Sequence, residues 1–401
     1  MKPAPLTVAL GVSMTVGYGA LYYSFSVLAP EIARSFGWER SFVFGVFSAG
    51  LLLSAAAAPV LGRLVDRLGA GPVMSVGSLA ATACLAAHAL IGNGWQFAAL
   101  AAAMPVISLA VQYEAGFAAL TQRYGTAARA HITAVTLIAG FSSTIFWPLC
   151  QWLLTVTDWR GAYLVLAAVN TVFALPVHLA VALRAPRAVA PVPVQAQAPP
   201  PPEPATGQKI APDRRFAAIV LMSVNFAGMG FLISAVATTL MILLQGLGFA
   251  AVAATLVGSV IGPAQVAARL LEFVARGRLS PLGTAVLASV AVVIAPLLLA
   301  LCLIQPLLAA ALAFGVLQGC GHGLTSIVRG VLPLHFFGAA GYGRLTGNMA
   351  MARIVVSAAA PVSIVFIHES YGPAAAIATL FAVAMASLAA VIGLARLARR
   401  G

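Results

Sequence analysis

The chain has 401 residues, of which 62% are hydrophobic and only 8% charged, with a formal net charge of +13. An ordinary soluble domain carries about a quarter charged residues, so this composition excludes one and describes a chain solvated mainly by lipid. The positive charge raises nucleic acid as a partner, but its placement along the chain, set out below, assigns it to membrane topology instead.

Twelve apolar stretches are long enough to cross a hydrocarbon core of roughly 30 Å, which takes about 20 helical residues. They are 6–29, 41–61, 72–91, 96–120, 132–155, 161–183, 216–244, 249–271, 282–304, 307–328, 345–367 and 373–397. Runs of this length satisfy their own backbone hydrogen bonds as helices, not as the short strands of a barrel. The expected fold class is therefore all-α, a polytopic protein with twelve transmembrane helices. Lys2 precedes the first stretch, but that stretch is too long for the core of a secretory signal and is read as retained.

Between the second and third stretches lies GRLVDRLGAGPVM, residues 62–74. Gly62 is expected to permit close helix approach, Asp66 to face a positive helix end, and Gly69 to allow a tight turn. The fourth stretch contains LAVQYEAGFAAL with Glu114 in its middle. A carboxylate in a spanning helix is a functional-site hypothesis by default, and a carboxyl group out of water can take up and release a proton near neutral pH. After the sixth stretch, residues 184–215 hold nine prolines and almost no large apolar side chain, and read as an extended cytoplasmic linker. It separates a six-helix half over 1–183 from another over 216–401.

Three segment pairs relate the halves: VGYGAL (16–21) with AGMGFL (227–232), GRLVD (62–66) with ARLLE (268–272), and VQYEAGFAALTQR (111–123) with LQGCGHGLTSIVR (317–329). The last two pairs are offset by 206 residues (268 − 62, 317 − 111) and the first by 211 (227 − 16). The difference calls for about five extra residues in the first external loop, EIARSFGWER, relative to QGLG at 245–248. A duplicated, pseudo-symmetric bundle of two six-helix halves follows. With both termini in the cytoplasm, only Arg34, Arg40 and Arg160 fall outside, leaving 19 of the 22 Lys and Arg (22 − 3) on the inner side. That bias is the positive-inside rule, helped by anionic lipid.

The cysteines Cys84, Cys150, Cys302 and Cys320 fall in predicted spans without a paired or CxxC spacing, so neither a disulfide framework nor zinc is expected. Cys320, His322, Met349 and Met351 offer soft ligands, but Gly315, Gly319 and Gly323 in the same stretch more simply mark close helix packing. No metal or cofactor is assigned. No GxxxxGK[ST], HExxH or GxSxG occurs, which argues against ATP-driven transport and against an enzyme.

The segment GRLVDRLG resembles the signature of the major facilitator superfamily of secondary transporters, with Gly62, Leu64, Asp66, Arg67 and Gly69 matching and Ala70 and Gly71 departing where the family has basic residues. The resemblance implies a gating network around Asp66, Arg63 and Arg67, with Arg269 and Glu272 as its second-half copy. It also implies a central cavity lined by spans one, four, seven and ten, which makes Tyr18, Tyr22, Gln112, Asn225, Gln318 and His322 candidate lining residues. The stretch YYSFSVLAPEIARSFGWER is similar to oxalate/formate antiporters and monocarboxylate carriers, yet Ala264 stands where such carriers place a substrate arginine.

Arg353 lies inside the eleventh predicted span. Two readings stand: it contacts an anionic substrate, or it reaches the cytoplasmic interface or the gate. For Glu114 there are also two. Residues two apart differ by about 200° around a helix, so either Gln112 faces the pathway with Gln318 and His322, or Glu114 does with Cys320 and carries a coupled proton. The second is favoured. The expected function is proton-coupled transport of a small organic anion by alternating access, with protons and lipid as partners. The chain is expected to work as a multi-pass monomer in a bacterial inner membrane. An exporter of hydrophobic or cationic compounds is the alternative, although AGFSSTIFWPLC in the fifth span lacks the Gly-Pro-x-x-Gly-Gly run of drug/proton antiporters, and metal transport ranks below it.

Overall fold

A computed structural model describes residues 5–124, 128–183, 210, 212–274, 279–337 and 342–399. Among them every regular element is a helix. Ten helices are long and apolar enough to cross a membrane. The one over 342–399 is divided by Gly372, whose φ of 83° no helix contains. The apolar Gly94–Ser108, continued by Tyr113–Tyr124, completes twelve rods.

They are α1 (Pro5–Phe36), α2 (Arg40–Leu68), α3 (Ala70–His88), α4 (Gly94–Ser108 and Tyr113–Tyr124), α5 (Ala128–Ala139 and Ser142–Val156), α6 (Trp159–Leu183), α7 (Arg215–Gly246), α8 (Ala251–Val274), α9 (Pro281–Leu301), α10 (Leu308–Phe337), α11 (342–371) and α12 (373–399). Most limits fall within a few residues of the sequence reading. The proline-rich stretch 184–209 lies outside the described residues.

Three departures are informative. The segment expected to be a long first external loop is largely helix, because α1 continues to Phe36 and stops only at Gly37, which takes a left-handed φ of 66°. The helices α1 and α7 are equally long, at 32 residues each, so the five-residue difference between the halves lies inside α2 and not in a loop. Second, α10 runs to Phe337 instead of 328. Third, Cys302 caps the end of α9 rather than lying within it.

The chain forms two compact units, Met1–Pro199 and Pro200–Gly401. Corresponding helices pair within each. In the first, α2 packs on α4, α1 on α5 and α3 on α6; in the second, α8 packs on α10, and α7 and α9 pack on the helices of 342–399. Lipid is as apolar as a leucine side chain, so close packing and interhelical hydrogen bonds hold such bundles together. The glycine row on α10 does this against α8: a Cβ on Gly315 would stand 2.7 Å from the Val257 carbonyl, and Gly319 and Gly323 meet the Ile261 and Gln265 carbonyls more closely still.

Each unit also has a buried polar tie among three helices. His178 on α6 bonds Ser78 on α3 at 2.5 Å and Ser13 on α1 at 3.2 Å. Asn225 on α7 donates to Ser289 Oγ on α9 and to the Ser387 carbonyl on α12, both at 3.1 Å.

Candidate functional site

Within the second unit a cavity of about 280 Å³ lies among α7, α10 and α11, lined by Phe226, Ser326, Arg329, Gly330, Met349, Ala350 and Arg353. On α10, His322, Ser326 and Arg329 are spaced four and three residues apart and so share a face. On α11, Met349 and Arg353 are four apart and do the same.

A notch in α7 seats Arg353. A Cβ on Gly230 would stand 2.7 Å from Arg353 Cγ and nearer still to Ser357 Oγ, so only glycine leaves room for this stem. Gly230 belongs to AGMGFL, the repeat partner of VGYGAL. At the matching Gly19 (230 − 211) of the first unit, a Cβ would overlap the ring of Phe146. The duplicated glycine thus admits a phenyl ring in one half and a guanidinium stem in the other.

Two guanidinium groups and a hydroxyl on one small cavity make a donor-rich lining, and planar guanidinium forks match carboxylate geometry. Phe226 and Met349, each almost fully buried, supply the apolar wall that small-molecule sites commonly have.

Other second-unit candidates lie as follows. Gln318 Nε2 donates to the Leu232 carbonyl on α7 at 3.5 Å, and Asn225 is the polar tie described above. Cys320 Sγ donates to the Ala264 carbonyl on α8 at 3.8 Å. Arg269 Nη2 donates to Gln265 Oε1 one turn back, at 3.1 Å, and Glu272 is half-buried three residues further on.

In the first unit, the Tyr18 ring lies 4.7 Å from that of Tyr113, and Tyr22 packs against Tyr23 and Phe47. The assumption of an unbroken fourth helix fails: Leu109–Gln112 leave the helix, and Tyr113 starts a new one. At Gln112 itself the four-residue spacing persists: its amide donates to the Ser108 carbonyl and its carbonyl accepts from the Gly116 amide, both at 3.0 Å. Gln112 is buried at 8% exposure. Glu114 is the second residue of the new segment; its side chain lies outside the described ones.

At the signature, Gly69 makes the expected turn between α2 and α3 with φ of 84°, and Arg63 and Arg67 are exposed. The side chain of Asp66 lies outside the described ones. Gly62 is exposed, and among the described residues nothing lies within 4 Å of the place a Cβ would occupy, so the close approach expected there is absent from them. The close approach is made by Gly71 instead. A Cβ there would stand 2.5 Å from both Cα and N of Ala182 on α6, which explains why this position cannot carry the family's basic residue. Beside it, the Ala70 amide donates to Gln122 Oε1 on α4 at 3.0 Å.

The sequence reading missed Arg329 and Ser326 as site residues. Arg329 ends the third repeat pair opposite Arg123, and a tenth span cut at 328 placed it at the membrane surface; the helix continues eight residues past it.

The sequence model of the Major Facilitator Superfamily matches residues 10–361. Among solved structures, the chain is similar to a point mutant of the nucleoside transporter NupG, at 12% identity and a TM-score of 0.72 over 98% of this chain and 99% of that one. It is also similar to a bacterial homolog of the human lysosomal transporter Spinster, in an inward-facing and unoccupied conformation, at 13% identity and a TM-score of 0.65 over 98% and 95% of the two chains. No curated protein sequence matches it.

Proposed function

Because the chain belongs to the Major Facilitator Superfamily of transporters, we propose that it is a proton-coupled secondary transporter of a small organic anion, working by alternating access. The observation that carries the anion reading is the cavity in the second unit, with Arg329, Arg353 and Ser326 among its lining residues. An arginine within a spanning helix is costly and is retained for function. Here Gly230 makes room for the stem of Arg353, which lines the cavity instead of ending in lipid.

In this reading Arg353 and Arg329 hold the substrate carboxylate, and Phe226 and Met349 select its apolar part. Glu114 carries the coupled proton, and Asp66 with Arg63 and Arg67 gates the cytoplasmic side. The halves are 1–183 and 216–401, joined by a cytoplasmic linker over 184–215. The chain acts as a monomer in a bacterial inner membrane with both termini in the cytoplasm.

Proteoliposome transport with radiolabelled organic acids tests the anion assignment. Arg353→Ala should fold and insert normally and lose anion binding. A variant that binds the acid as tightly as the parent, yet fails to close its cytoplasmic side, would move Arg353 to the gate.

A further inference from the structure

Two serines continue the helix faces that seat Arg353. On α11, Ser357 follows Arg353 by one turn, and on α7, Ser234 follows Gly230 by one turn; residues four apart share a side of a helix. Arg353 meets α7 at Gly230 and His368 meets it at Gly246, offsets of 123 (353 − 230) and 122 (368 − 246). The two helices therefore run side by side in the same direction. Ser234 and Ser357 keep that offset, 123 (357 − 234), and so stand at one level.

Both hydroxyls are buried and unmatched. Ser234 is 4% exposed, and neither Ser234 Oγ nor Ser357 Oγ has a hydrogen-bond partner among the described residues. Serine and threonine hydroxyls in helices commonly return to a carbonyl one turn back, as Thr238 and Ser363 do on these same two helices. Ser234 and Ser357 do not. Arg353 Cγ stands 2.7 Å from the place a Gly230 Cβ would occupy and Ser357 Oγ nearer still, so this hydroxyl adjoins the arginine stem that lines the cavity. An acceptor is present too. Pro361, four residues past Ser357, has no amide to donate, which leaves the Ser357 carbonyl without its usual helical partner.

A buried hydroxyl left unmatched opposes folding, and the retention of two beside Arg353 is explained by a ligand oxygen that bonds them. We propose that Ser234 and Ser357 form a subsite for a hydroxyl group of the substrate, next to the arginines that hold its carboxylate, so that the transporter selects hydroxylated acids over unsubstituted ones. The serine hydroxyls donate to the substrate oxygen, and the Ser357 carbonyl accepts from its O–H. A site built to hydrogen-bond a substrate hydroxyl rejects the analogue that lacks it, because its own polar groups are then left unpaired. The inference rests on the anion reading above and adds to it a class of acid.

The test titrates the purified full-length protein calorimetrically with 2-, 3- and 4-hydroxybutyrate and with butyrate, which has the same chain and no hydroxyl. The parent should bind one hydroxybutyrate more tightly than butyrate. Ser357→Ala and Ser234→Ala should each weaken that isomer about 3- to 10-fold, the scale of one hydrogen bond, and change butyrate by less than about twofold. Their melting temperatures without ligand should be unchanged or raised, because the hydroxyls removed are unmatched. If butyrate binds as tightly as every hydroxybutyrate, or if the variants weaken butyrate equally or weaken neither, the subsite is refuted and the anion reading stands. A variant that melts lower without ligand would show that its hydroxyl has a structural partner, which also refutes the subsite. If the parent binds none of the four acids, the anion reading falls and the subsite with it.

Discussion

Gly230→Ala is the most direct probe of how the second unit places its arginine. The added methyl would stand 2.7 Å from Arg353 Cγ and closer to Ser357 Oγ, inside any sustainable contact. Relief comes either from separating α7 and α11 or from turning the Arg353 stem out of its notch, and the stem is the softer element. Overpacking costs about 1–3 kcal/mol, while replacing glycine by alanine in a helix returns about 1 kcal/mol. Stability should thus fall by no more than about 2 kcal/mol. Binding should suffer more, because a displaced guanidinium forfeits a charge-assisted hydrogen bond of about 1.5–3 kcal/mol, or roughly 10- to 150-fold in affinity.

The assay is a double-mutant cycle on anion affinity with Arg353→Ala. If the glycine acts through Arg353, the double variant should bind no worse than Arg353→Ala alone, since residues in contact couple. Gly228→Ala serves as control: its added methyl meets Ser387 on α12 and not Arg353, so it should spare affinity. Strict additivity of Gly230→Ala and Arg353→Ala would refute the seating of the arginine by Gly230.

Two other outcomes are expected. Glu114→Gln should abolish pH-driven accumulation in proteoliposomes while sparing substrate exchange, and undiminished accumulation would remove Glu114 from coupling. Gly71→Ala should lower the melting temperature in detergent by an amount equivalent to about 1–3 kcal/mol, because the atoms it meets at 2.5 Å are backbone atoms of Ala182 that cannot rotate away; an unchanged melting temperature would show that α3 and α6 separate freely.

The fold was legible because its signals are long and additive: a 20-residue apolar run cannot be anything but a span, and six spans on either side of a proline-rich stretch state the duplication. What escaped were single-residue effects of packing. LAVQYEAGFAAL has the composition of an unbroken helix, and nothing in it announces the three-residue turns over Leu109–Val111. The glycines of the signature read alike, yet Gly69 turns the chain, Gly71 meets α6 and Gly62 meets nothing among the described residues. Arg329 was hidden by hydropathy itself, since charged and polar residues near the end of α10 lower the apolar signal that defines a span.

The duplicated halves show which features survive divergence. Ser78 and Ser289 are 211 residues apart (289 − 78), His178 and Ser387 are 209 apart (387 − 178), and both pairs belong to the three-helix polar ties. The central side chain differs, the His178 ring in one unit and the Asn225 amide in the other, while each ties three helices together. Such a tie costs little when every polar atom at it is matched and much when one is left over, so substitutions persist only if the hydrogen bonds are remade. Gly19 and Gly230 follow the opposite rule. Each leaves a notch, and the occupant changed from Phe146 to Arg353, which altered the chemistry at that place without disturbing the helices that make it. A notch preserved by packing and open to exchange of its occupant is how one half of a repeat can acquire a charged site while the other remains apolar.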